Sequence, residues 1–305
     1  MIGRRLYFTL IVIFNFYFFL TAQVKNSELI GEAQFYADVM MNAEDIAHRQ
    51  RAASQFYPLL MQLLQQNQSF DDDYAGLRWI SRKYSEDKNF RIFSWYVPVN
   101  IEENRYYGIL QTKEGKLFEL KDGFKTTDEL DADVEEFDSR NWPGAMYYNI
   151  MDVMDANGEK YYLLFGINRW NPMENIKIAD VLFFTKSGEP VFGKEVFYKT
   201  EPGGKVTKLN RLLVKYSADA TVTLNYNPGM EMIVMDHLVP RMSRLKGEST
   251  VLVPDGSYSG YILKNGIWEY VDKLYTEILD EAPRPRPVME GRKNTNIFGK
   301  SRKQK

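Results

Sequence analysis

The side chains best equipped for chemistry in this chain are carboxylates, two histidines and a set of clustered aromatic rings. The densest carboxylate run is Asp128, Glu129, Asp131, Asp133, Glu135, Glu136 and Asp138. Calcium takes about six to eight oxygen ligands, and such a run could supply several. It lacks the EF-hand spacing and glycine, so a solvated acidic stretch is the expectation. Asp152, Asp155 and Glu159 also brush against a calcium-loop pattern, but Asn157-Gly158 between them already specifies a hairpin turn. His48 falls on a predicted helix beside Arg49 and Arg51, on a mostly polar face. His237 follows Asp236 in MDHLVP at a strand end. A carboxylate can orient an imidazole as a general base, yet adjacent strand residues point to opposite faces. Asp236 and His237 are therefore candidate binding residues, with a structural histidine as the expected role. Two histidines so far apart, each without a nearby second ligand, do not make a zinc site. No metal and no cofactor is expected. Flat aromatic faces can stack on sugars or other rings, and Trp142, Tyr147, Tyr148, Trp170 and Trp268 are the rings to watch. Most aromatic strand residues fill interiors; Trp170, followed by Asn171-Pro172, is the best exception. Trp142, Tyr147 and Trp170 are the candidate binding rings.

Several chemistries are excluded. The chain has no cysteine, so disulfides, thiolate metal sites, iron–sulfur clusters, cysteine nucleophiles and a cysteine-linked lipid anchor are all ruled out. No GxSxG, HExxH, GxGxxG or complete P-loop occurs. Phe298-Gly299-Lys300-Ser301 has the last letters of a P-loop without its upstream glycine or following helix. A glycosidase needs two carboxylates across a cleft, and 41 acidic residues neither identify nor exclude such a pair. A net charge of −2 argues against a basic nucleic-acid-binding body.

The elements that must position these groups follow from periodicity. Residues 1–22 have a basic head at Arg4 and Arg5, an apolar run from Leu6 to Leu20, then Thr21 and Ala22. This is the layout of a secretory signal cleaved after Ala22, with an uncleaved anchor as the rival; either places the body outside the cytoplasm. Residues 24–85 read as helical. Leu29, Ala33, Tyr36 and Met40 form one stripe, Asn42 caps a new start with Glu44 and Asp45 in its first turn, and Ala52, Phe56, Leu60 and Leu63 continue an apolar face. Pro58 predicts a kink or restart. A third helix is expected over Asp72–Tyr84, with Leu77, Ile80 and Tyr84 inward. These helices read as a support for a sheet; docking a partner would require an apolar face left exposed.

From Phe90 to about residue 280 the chain reads as antiparallel strands, with turns at Gly115, Gly158, Gly188, Gly229 and Gly266. The anchor is Trp142 to Trp170, where Asn157-Gly158 predicts a type I′ turn and Tyr161, Leu163, Phe165 and Ile167 line one face. The turn intervals are too uneven for a propeller repeat. The expected class is α+β: N-terminal helices packed on a large antiparallel β-meander, either a curved sheet or an incomplete barrel or sandwich. Residues 282–305 carry Arg284, Arg286, Arg292, Lys293, Lys300, Arg302 and Lys303 with few apolar residues, and are expected to be a disordered basic tail. Such a tail can meet an anionic membrane, a polysaccharide or an acidic protein.

The segments WPGAMYYNI, YYLLFGINRW, VLFFTKSGEPVFGKEVF, LVKYSADATVTLNYN, MDHLVP and PDGSYSGYILKNGIWEYVDKL, with RIFSWY before them, resemble a group of secreted proteins of Bacteroidota-type bacteria. The resemblance spans about Phe90 to Leu274. It implies export and a helical segment ahead of an antiparallel β body, and carries no activity or catalytic residue with it. The expectation is an exported, non-lipidated protein of the periplasm or cell surface with a non-catalytic binding or structural role. Its partner would be an envelope protein or glycan, with no nucleic acid, and membrane contact only through an uncleaved signal or the tail. The alternatives are a hydrolase acting on a glycan or peptide through a carboxylate pair, and a small-ligand carrier.

Overall fold

Residues 90–98, FRIFSWYVP, form a strand whose side chains are buried in strict alternation against two different neighbours. Phe93, Trp95 and Val97 face helices; Phe90, Ile92 and Tyr96 face a second sheet. That double burial sets the architecture. The computed structural model describes residues 26–123, 132–169, 171–242 and 250–274. Helix α1 (26–42) and helix α2 (Ile46–Leu64) form the outermost layer. Beneath them lies a sheet of β1 (Ser81–Tyr84), β2 (Phe90–Pro98), β3 (Asn104–Thr112) and β4 (Leu117–Lys121), in that order. The next layer orders β5 (Phe137–Asp138), β9 (Pro190–Phe192), β8 (Glu174–Phe184), β7 (Lys160–Asn168) and β6 (Met146–Met154). The last orders β11 (Val206–Leu209), β10 (Phe197–Thr200), β16 (Ile267–Val271), β15 (Thr250–Lys264), β14 (Met232–Met242) and β13 (Leu224–Asn227). The fold is α+β with antiparallel sheets and no closed barrel; the pairing of β10 with β16 is parallel.

The middle sheet is buried on both faces. Tyr162, Leu164, Ile178 and Leu182 join the core under the first sheet, while Tyr161, Leu163, Phe165 and Val181 pack against Phe197, Ile233, Tyr261 and Trp268 of the third. Tyr161, Leu163 and Phe165 share the face expected of them, and YYLLFG is buried at every step because the opposite face is covered too.

Two buried arginines hold separate segments of the chain together. One edge of β8 is shared: β9 pairs with Leu182–Phe184, and β12 (Leu212–Ser217) pairs with Glu174–Ala179. Asp180 falls in the gap between them, and Arg211 fills it. Its Nε donates to Asp180 Oδ1 at 2.9 Å, Nη1 to the carbonyls of Ala132 and Glu135, and Nη2 to Phe192 O at 3.0 Å. Gly193, at φ +103°, leaves room for this, since a Cβ there would sit 2.5 Å from Nη2. The described part of the acidic run thus serves through its backbone carbonyls, not through a carboxylate cage. In the first sheet, Arg91 donates to Gln111 Oε1, Tyr84 Oη and the carbonyls of Asp72 and Ser69.

Three local expectations are corrected. The cap of α2 is Asp45, whose carboxylate accepts from Ala47 N at 2.7 Å, and the helix runs on through Pro58 without a restart. Residues 72–80 form no helix: Asp72 and Asp73 accept from the backbone two residues on, closing Asx turns. The segment then becomes β1, paired to β2. The anchor turn is not type I′, because Asn157 lacks a positive φ. Gly158 N instead bonds Asp155 O, and Gly158 itself takes φ +79°. The same arrangement recurs at Thr112–Gly115, Thr185–Gly188 and Glu201–Gly204, where the glycine's left-handed backbone closes a three-residue loop. Asn265-Gly266, at φ +50° and +79°, is the true two-residue turn of that kind.

Removing the carboxylate by Asp180→Ala leaves Arg211 buried without its counter-charge and should cost about 3–5 kcal/mol in denaturant unfolding. Asp180→Leu with Arg211→Met should not recover it, because the three carbonyls lose their donor. A loss below about 1 kcal/mol for Asp180→Ala would show that the pair does not hold the sheet edge. Gly158→Ala faces open space, whereas a Cβ on Gly266 meets Ala156 N at 2.2 Å. Gly158→Ala should cost about 1 kcal/mol for its backbone alone. Gly266→Ala should cost clearly more in the same assay.

Candidate functional site

Helix α1 carries two stripes. Ala33, Ala37 and Met40 are buried against the first sheet. Phe35, Asp38, Val39 and Asn42, spaced i, i+3, i+4, i+7, occupy a neighbouring face and line an open cleft. The opposite wall is Arg78 and Trp79, with Ala43 at one end. They are pushed outward because Leu77 and Ile80, on either side, are anchored in the core. Earlier in the same loop, Arg91 holds the carbonyls of Ser69 and Asp72.

The cleft has a volume of about 620 Å³. Phe35 is 60% exposed and Trp79 41%, unusual for rings of their size. The indole Nε1–H donates to Asp38 Oδ1 at 2.5 Å, which fixes the ring plane and satisfies its one polar atom. The side chains of Asn42 and Arg78 have no hydrogen-bond or ion-pair partner among the described residues. The arrangement presents two ring surfaces, two unengaged donors and one carboxylate already engaged through one oxygen. It can hold a ligand; Asp38 alone is no acid–base pair.

The rings singled out in the sequence lie elsewhere. Trp142 and Tyr147 are fully buried, the indole Nε1 donating to the Tyr147 hydroxyl at 2.9 Å, so neither can stack on a ligand. The reason is that both belong to the core between the first and middle sheets. Burial holds the Tyr147 hydroxyl far above the ordinary phenol range. Trp268 is buried too, on Tyr161 Oη, and Tyr148 is half-buried with its hydroxyl on Leu224 O. Trp170 and the basic residues from Arg284 to Lys303 lie outside the described residues, as does the signal-like segment.

Asp236 and His237 do not act together. Asp236 is buried and accepts from Thr223 N at 2.6 Å, pinning β13's approach to β14. His237 turns the other way, and its Nδ1 pairs at 2.9 Å with Asp255 Oδ2 across the β14–β15 irregularity. Asp255 also accepts from the Ser257 hydroxyl and backbone N–H. Among the described residues no carboxylate–histidine group has the makings of a metal site.

No family model, curated protein or solved structure matches this chain. The cleft residues themselves had a readable signal: Phe35-x-x-Asp38-Val39-x-x-Asn42 is a second helical stripe, apolar enough to notice and too polar for the core.

The Ser257 hydroxyl, its backbone N–H and then His237 hold the Asp255 carboxyl at about 2. Since that lies below its ordinary value of about 3.9, its contribution to stability is present above about pH 4 and lost as pH falls toward about 2. A carboxyl NMR titration should show the low midpoint, and Ser257→Ala should raise it. A wild-type midpoint near the ordinary value would mean the cluster is open in solution.

Proposed function

We propose that the protein is an exported cell-envelope component that binds its ligand without transforming it, through the cleft between α1 and Trp79. The observation that carries this reading is the pairing of two exposed rings with a single carboxylate whose Oδ1 is bonded to the indole. Rings of this size left in water, with a fixed plane and unengaged donors beside them, support recognition. Hydrolysis of a glycosidic bond would ask for a second carboxylate flanking the same ligand, and the cleft lining contains Asp38 alone. Export is supported by the basic head, apolar run and small residues of the first 22 positions. The supporting layer of α1 and α2 on the first sheet suits a binding role, because it fixes one wall of the cleft on a rigid element.

The test is co-sedimentation of the protein with insoluble envelope material, against a Phe35→Ala/Trp79→Ala variant. The variant should lose more than about tenfold in apparent affinity, since two stacking rings are removed. Both changes fall at exposed positions, so its unfolding midpoint should stay close to that of the parent. Equal sedimentation of the two proteins would remove the cleft as the binding surface. Turnover of a glycan or peptide library would reverse the non-catalytic reading.

A further inference from the structure

We infer that the cleft receives the pyranose rings of an uncharged glycan. This rests on the binding role proposed above and names its ligand class. A partner protein would ordinarily bring about 20–30 residues of each side into contact, whereas this cleft is lined by seven. A purely apolar ligand would strip water from Arg78 and Asn42 and give nothing in return, which is costly for polar groups. An ion finds no net field, since Asp38 and Arg78 stand on opposite walls with opposite charge.

A pyranose answers each of these features. The C–H side of the ring is apolar and flat enough to lie on the Trp79 indole, whose orientation Asp38 already fixes. The hydroxyls around its rim both donate and accept. Arg78 and Asn42 offer donors to them, and the Oδ2 of Asp38, which takes no part in the indole bond, offers an acceptor. Phe35 and Val39 extend the apolar floor along the helix by one more turn. A volume of about 620 Å³ lies well inside the range of about 300–1,000 Å³ for small-ligand clefts and leaves room for more than one ring. An open mouth lets a chain enter and leave along the surface, as a polymer segment must.

The full chain would be titrated with cello-, manno-, chito- and xylo-oligosaccharides, and with an oligouronate and an acidic peptide as charged controls, following intrinsic tryptophan emission. Trp95, Trp142 and Trp268 are buried and Trp79 is exposed, so an emission change that persists in Trp170→Phe and is lost in Trp79→Phe reports a ligand in the cleft. At least one neutral series should bind with an affinity that changes less than about twofold between low and high salt. Trp79→Ala should weaken it by at least about tenfold and Arg78→Gln or Asn42→Ala by about threefold to tenfold, with unchanged unfolding midpoints. If no neutral series binds while envelope retention still depends on Phe35 and Trp79, the glycan assignment fails and the binding role stands. Binding of the oligouronate or the peptide alone, with a steep loss in salt, overturns the assignment in the same way. Loss of both oligosaccharide binding and cleft-dependent retention removes the binding role as well.

Discussion

One ion pair without water holds the centre of this molecule. Taking a guanidinium and a carboxylate out of solvent costs several kcal/mol for each ion, and only close geometry with further hydrogen bonds offsets it. Arg211 meets that condition on its own side, with one carboxylate, three carbonyls and the Phe137 ring 4.5 Å below its plane. Asp180 meets it less completely: Oδ1 accepts from Arg211 and from Val181 N, while Oδ2 has no partner among the described residues. Burial accordingly pushes its carboxyl upward, against the opposing pull of the arginine. The arrangement persists because of topology. Two short strands from different parts of the chain share one edge of β8, and the gap between them would otherwise leave backbone groups unpaired in a dry interior.

The same logic explains what could be read in the sequence and what could not. Helices over 26–42 and 46–64 were legible, because their stripes and the capping region fit a single period. The hairpins were legible because glycine at each corner has few other uses. Residues 72–84 misled, since Leu77, Ile80 and Tyr84 have helical spacing while the two aspartates at 72 and 73 redirect the backbone locally. Layering was not legible. A strand such as YYLLFGI announces that it is covered on both sides without saying by what. Arg211 was invisible for a related reason: an arginine beside LLVKYS reads as solvent-facing, because this residue is so seldom buried whole.

The position of the cleft follows from this stacking. The cores between the layers take up Trp95, Trp142 and Trp268, one in each. Among the described residues the helical layer has only one neighbouring layer, so one side of α1 is left uncovered. There the sequence places Phe35 and Val39 where charge would be ordinary, and Trp79 closes over them from the adjoining loop. The candidate site was therefore missed among the strand aromatics and lay on a helix of an outer layer, one face of which no other described element covers.

The order of residues along β8, β9 and β12 also bears on how the protein is made. Asp180 precedes Arg211 by 31 positions. As a ribosome or a translocation pore releases the chain from its N-terminus, the middle layer reaches the outside with half of one border vacant and a carboxylate at the breach. Water must occupy that breach until the later strand arrives. Closure of this edge is thus postponed until the chain carrying the guanidinium has emerged.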